Sequence, residues 1–169
     1  SMFFLVGRGK SPKESSMPTT TVEGRASEPQ APSILKRTSE ELKELLAENQ
    51  VLAIARAFAE RYGSFSNQGG FENLLDLEPI VTTSLWEELR GLHKSGQSDV
   101  SNEYFGISTR ALSVKLVKLD PNTSAKVSAQ TQRQESRGSS ANTRVYYQEV
   151  RMDLVYSDGQ WKVDYAKWQ

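Results

Sequence analysis

Asp76, Glu78 and Asp153 are carboxylates near apolar residues, and only in that sense candidates for general-base work, which needs a carboxylate held near a substrate proton. Tyr104, Tyr146 and Tyr147 sit on stretches that alternate like strands and could line a pocket. A ligand site built from these would use Tyr104, Tyr147 and Asp76. The pattern argues against going further, to catalysis. Asp153 falls on the opposite strand face from Met152 and Leu154 and therefore meets water. Aromatic residues on strands commonly serve as core or as cross-strand pairs. The one histidine, His93, follows a helical stretch, where a cation is mildly favoured, and no carboxylate partner can be assigned to it. There is no cysteine, which excludes a disulfide framework, a zinc–thiolate site and a cysteine nucleophile. A single histidine excludes a multi-histidine metal cluster. No catalytic residue, no metal site and no cofactor is expected.

Binding to polyanions is disfavoured on similar grounds. Lys+Arg and Asp+Glu number 21 each, so no net field draws the chain to nucleic acid. The basic residues are scattered, with Arg133 and Arg137 near one hairpin tip, and form no dense stripe with stacking aromatics. Gly7-Arg8-Gly9-Lys10 lacks the preceding strand and the Gly-Lys-Ser/Thr ending of a phosphate loop.

The elements that would hold any site read most clearly at the C-terminal end. Val150, Met152, Leu154 and Tyr156 alternate with Arg151, Asp153 and Val155, which predicts a strand with one apolar face. Ser157-Asp158-Gly159-Gln160 predicts a tight hairpin turn, because Asp and Gly tolerate positive φ. Trp161, Val163 and Tyr165 then face inward on a returning strand. Upstream, Leu112, Val114 and Leu116 predict one apolar face, and Ala125, Val127, Ala129 and Thr131 another, joined by the turn Asp120-Pro121-Asn122. These add up to four antiparallel strands.

The first half is helical. Thr38-Ser39-Glu40-Glu41 fits a capping box, and Leu42, Leu45, Leu46, Leu52, Ala55, Phe58, Ala59 and Tyr62 recur at three- and four-residue spacing. The spacing predicts a core-facing helix from Ser39 to Tyr62, stopped by Gly63. Ser64 to Gly70 reads as a loop, Phe71 to Leu77 as a short helix ended by Glu78-Pro79, and Thr82 or Thr83 to Gly91 as another. Ser11 to about Ser33 is rich in Ser, Pro, Thr and Glu and reads as a flexible linker. The expected organisation is a stub and linker over 1-37 and one domain over 38-169.

Phe3-Phe4-Leu5-Val6 is too short to span a bilayer, which takes roughly 20 residues. It is either an apolar tail or, if Ser1-Met2 is foreign to the natural chain, the last turn of a transmembrane helix lying upstream. Arg8, Lys10 and Lys13 just after it would favour the cytoplasmic side.

A long helix, two short ones and four antiparallel strands ending in an aromatic hairpin resemble the nuclear transport factor 2-like superfamily. The fold expected is therefore α+β: one long and two short N-terminal helices packed on a curved four-stranded antiparallel meander, cone-shaped. Asp158-Gly159-Gln160-Trp161-Lys162-Val163 is similar to the last hairpin of many of its members. The segment from Ala57 to Gln68 and Phe71-Glu72-Asn73-Leu74 resemble membrane-anchored proteins of candidate-phylum bacteria. The layout also resembles the extracytoplasmic domain of the type IV secretion inner-membrane assembly factor. The apolar stub, the linker, the lack of catalytic residues and that resemblance together point to a non-catalytic, extracytoplasmic interaction domain, tethered by a missing N-terminal helix and binding protein partners or itself through the sheet's exposed face or a strand edge. The superfamily's isomerases and dehydratases imply the alternative, a small molecule held in the cone.

Overall fold

The computed structural model describes residues 31–70, 72–97, 103–139 and 141–169, without the side chains of 31–37 and 92–97. Helix α1 (Ala31–Tyr62) is followed by strand β1 (Phe65–Ser66), a 3₁₀ helix (Glu72–Ile80) and α2 (Thr83–Gln97). Four longer strands come next: β2 (Phe105–Asp120), β3 (Ser124–Arg137), β4 (Thr143–Ser157) and β5 (Gln160–Trp168). They pair antiparallel in the order β1-β2-β3-β4-β5, so each strand lies beside its sequence neighbour.

The alternation on β3 holds without interruption. Ala125, Val127, Ala129 and Thr131 are all buried, and Arg133 continues the same face and is buried with them. The last turn also follows from its residues, with Asp158 at φ 53° and Gly159 at φ 78° between paired Ser157 and Gln160. The core lies between this sheet face and the helices. Ala47, Val51, Ala55, Phe58 and Ala59 of α1, Leu77 of the 3₁₀ helix and Leu85, Trp86 and Leu89 of α2 meet Val127, Met152, Leu154, Trp161 and Val163.

Several expectations are corrected. The sheet has five strands, because the segment read as a loop after Gly63 contains β1, which pairs Phe65 with Ile107 and Ser66 with Gly106. α1 is already helical at Ala31, so Thr38 lies within it and cannot cap its start. The 3₁₀ helix continues through Pro79, and α2 continues past Gly91 to Gln97, which places His93 inside a helix. Leu42, Leu45 and Leu46 are 55%, 53% and 52% exposed, because the helix face that meets the sheet carries Ala47, Val51 and Ala55 instead.

Register shifts explain the remaining differences. An irregularity between Ala111 and Ser113 leaves Leu112 opposite no partner and half exposed, so the inward set runs Thr109, Ala111, then Val114 and Leu116. A second shift pairs Leu154 with Val163 but Asp153 with Tyr165, which turns Tyr165 outward and brings Ala166 and Trp168 to the core side. Tyr156, expected inward, is 40% exposed at the strand end, where its ring tilts against Trp161.

The outer edge of β2 is covered largely by side chains. Asn67 accepts from Phe105 N at 3.0 Å, Ser64 Oγ from Thr109 N at 2.8 Å and Glu60 Oε1 from Ala111 N at 3.0 Å, while Arg56 donates to Ala111 O at 2.8 Å. Together with β1, these groups occupy hydrogen-bonding positions at which a foreign strand would otherwise add.

Candidate functional site

Two polar regions and one apolar face stand out. The first surrounds Arg133, whose position at the end of the inward β3 series carries its guanidinium to the rim of the core. Nη1 donates to Gln148 Oε1 at 2.7 Å and Nη2 to the Gly63 carbonyl at 3.2 Å. The guanidinium lies 4.3 Å from the Trp168 ring centroid and 5.6 Å from that of Tyr146. None of the ion pairs among the described residues includes Arg133, and its Nε has no hydrogen-bond partner. Burying a cation this way is costly, and the aromatic faces and two hydrogen bonds offset the cost.

Arg133 acts as a clasp. The carbonyl it holds belongs to the residue just past α1, where orphan carbonyls and the helix dipole favour a cation. Thr109 Oγ1 donates to the same carbonyl at 2.6 Å, so β2 and β3 both fasten the end of the helix. Tyr62 completes the frame, stacked on Trp168 at 5.8 Å and on Phe58 at 5.1 Å.

Burial, and then the Glu88 carboxylate, hold the Tyr62 phenol above its ordinary value of 10.0, with Arg133 pulling the other way. The folded state therefore keeps this proton longer than the unfolded chain does. The resulting stability is complete below pH 10.0 and is lost as the pH rises through the folded value. Urea unfolding followed across that range should show stability falling, and the fall should be smaller in Tyr62→Phe. A Tyr62→Phe profile superimposable on the parent would refute this.

The second region is a cleft of about 580 Å³ between β1, the start of the 3₁₀ helix and the outer face of β2 and β3. Phe65, Ser66, Gly106, Ser108, Gln134 and Ser136 line it, with Tyr104 and Glu72. A Cβ on Gly106 would fall 2.6 Å from Tyr104 Oη, so glycine is what lets the phenol lie down against β2. Ser66 Oγ is used internally, accepting from Gly69 N at 3.0 Å.

Of the expected ligand residues, Tyr104 lines this cleft. Tyr147 is 68% exposed on β4, and Asp76 is exposed on the 3₁₀ helix; neither reaches the cleft. Asp153 forms an exposed pair with Lys126 at 2.9 Å. Among the described residues no three His, Asp or Glu side chains gather as a metal set. The clasp formed by Arg133 escaped sequence reading, although its signal was present: the inward period of β3 extends one step beyond Thr131.

The apolar face is that of Leu42, Leu45 and Leu46, at i, i+3 and i+4 on α1.

Helices on one face of a curled antiparallel sheet, in this order, define a nuclear transport factor 2-like fold. The chain is similar to the solved structure of CagV, a VirB8 homolog of T4SS from Helicobacter pylori, with a TM-score of 0.52 and 9% identity over 72% of this chain and 97% of that one. It is also similar to an "Ntf2 like protein involved in plasmid conjugation", with a TM-score of 0.51 and 14% identity over 73% of this chain and 49% of that chain, about half its length. No family model matches the sequence, and no curated protein does.

Proposed function

We propose that this chain is a non-catalytic assembly domain of a membrane-anchored envelope protein. It is carried outside the cytoplasm on the segment before α1, with the stub and linker ending where α1 begins at Ala31 rather than at 37. It joins protein subunits, or a second copy of itself, through the exposed leucine face of α1. The observation that carries this reading is that Leu42, Leu45 and Leu46 are each more than half exposed on one helix face. Leucines so placed gain by burial against a partner, at about 25 cal/mol per Å² of apolar surface removed from water. The fold shared with a VirB8 homolog of T4SS supports an assembly role. Among the described residues no helix is long and apolar enough to cross a membrane, so the proposal assigns anchoring to sequence outside them.

Photo-crosslinking from position 45 in cells, with the protein expressed from its full-length gene, tests the interface. A discrete adduct that disappears in Leu42→Ser/Leu46→Ser is expected. No adduct, or one indifferent to those changes, would overturn it. The full-length protein should fractionate with membranes after lysis; recovery in the soluble fraction would reject the anchor.

A further inference from the structure

We propose that the cleft between β1, the 3₁₀ helix and the outer face of β2–β3 binds an uncharged polyhydroxylated ligand, a saccharide. Its volume of about 580 Å³ falls within the range of small-molecule sites. Its polar groups are available. Ser108, Ser136, Gln134, Tyr104 and Glu72 all line the space, and none of their side chains hydrogen-bonds to another described residue. Unlike Ser66, or Ser64 with its bonds to Glu60 O and Thr109 N, these groups are not already engaged in holding the fold.

The chemistry of that set selects the ligand. Hydroxyls donate and accept, the Gln134 amide does both, and the Glu72 carboxylate accepts, so together they can pair with hydroxyls that also do both. Among the described lining residues there is no cation, and Glu72 is the one carboxylate. A phosphate or carboxylate ligand would find no counter-charge and would be repelled by Glu72. A cation would find a single carboxylate, too few for a site of its own. Tyr104 adds an aromatic surface, held low over Gly106, and the negative face of its ring suits the polarised C–H groups on one side of a sugar. The cleft shares no residue with the leucine face of α1, so this proposal stands or falls independently of the assembly role.

The test is an amide NMR titration of the whole 169-residue chain with maltose, with N,N′-diacetylchitobiose, and with glucuronic acid as the charged comparison. Millimolar neutral saccharide should shift amides of residues 64–70, 72, 104–108 and 134–136, with glucuronic acid weaker. Gln134→Ala, an exposed position whose loss leaves the fold intact, should weaken binding about tenfold, as should Tyr104→Ala. Ser136→Trp, which fills the cleft, should abolish it. Failure of both neutral sugars to shift these amides overturns the proposal. So do equal binding of glucuronic acid, unchanged affinity in Gln134→Ala, or response to a neutral peptide such as tetraglycine in place of the sugars.

Discussion

Phe58→Ala should lower the free energy of unfolding by about 3–5 kcal/mol, among the largest effects expected of a single truncation at the described residues. Phe58 is fully buried, and its ring both fills the space between α1 and the sheet and stacks on Tyr62 at 5.1 Å. Backbone on both sides of the resulting void is fixed. α1 is fastened at its end through the Gly63 carbonyl, and the facing strands are paired along their length, so the walls cannot collapse inward. A domain of this size holds only about 5–15 kcal/mol in total, so about a fifth or more of its stability would go. Urea unfolding followed by far-ultraviolet circular dichroism measures it. A loss below 1 kcal/mol would mean that α1 is not packed on the sheet as described.

Gly63→Ala should cost about 1–3 kcal/mol, although glycine to alanine beside a helix ordinarily gains. The new Cβ would stand 2.6 Å from Thr109 Oγ1 and 2.8 Å from both its Cβ and Cγ2. Thr109 cannot step aside, because its amide donates to Ser64 Oγ at 2.8 Å and its hydroxyl to the Gly63 carbonyl at 2.6 Å. The clash outweighs the few tenths to 1 kcal/mol gained by restricting the unfolded chain. The double variants separate this cause from others. Thr109→Ala should not rescue Gly63→Ala, since the Cβ at 2.8 Å remains, whereas Thr109→Gly should recover part of the loss. Rescue by Thr109→Ala would show that the Thr109 hydroxyl and methyl, not the approach of the helix end to the strand at Cβ, set the requirement.

Much of the fold was legible in local pattern. Period two from Ala125 to Thr131 needs only one buried face, and β3 keeps a regular register with β4, so each odd residue lands inside. Asp158-Gly159 needs only backbone tolerance of positive φ. The misses fall where alternation meets irregular pairing. Leu112 and Tyr165 sit at register shifts, where an extra residue reverses which face follows, and nothing in a strict period marks the spot. β1 is two residues long, too short for a period at all, and exists because Asn67 and Ser64 bring it against the β2 edge.

Of the candidate ligand residues, Tyr104 was identifiable as an aromatic near a strand start, but its cleft was not. That space is enclosed by Glu72 from a helix and by Gln134 and Ser136 from another strand, far apart in the chain.

From its sequence alone, this protein had its helices, its four long strands and its last hairpin decided, because helix spacing, alternation and turn chemistry are properties of neighbouring residues. Tertiary structure alone decided that Arg133 would be a buried clasp, that Leu42, Leu45 and Leu46 would face outward, and that unpaired hydroxyls would gather around Tyr104. Those outcomes depend on which faces meet and where the sheet ends, and burial is a property of the assembled surfaces, not of any one segment.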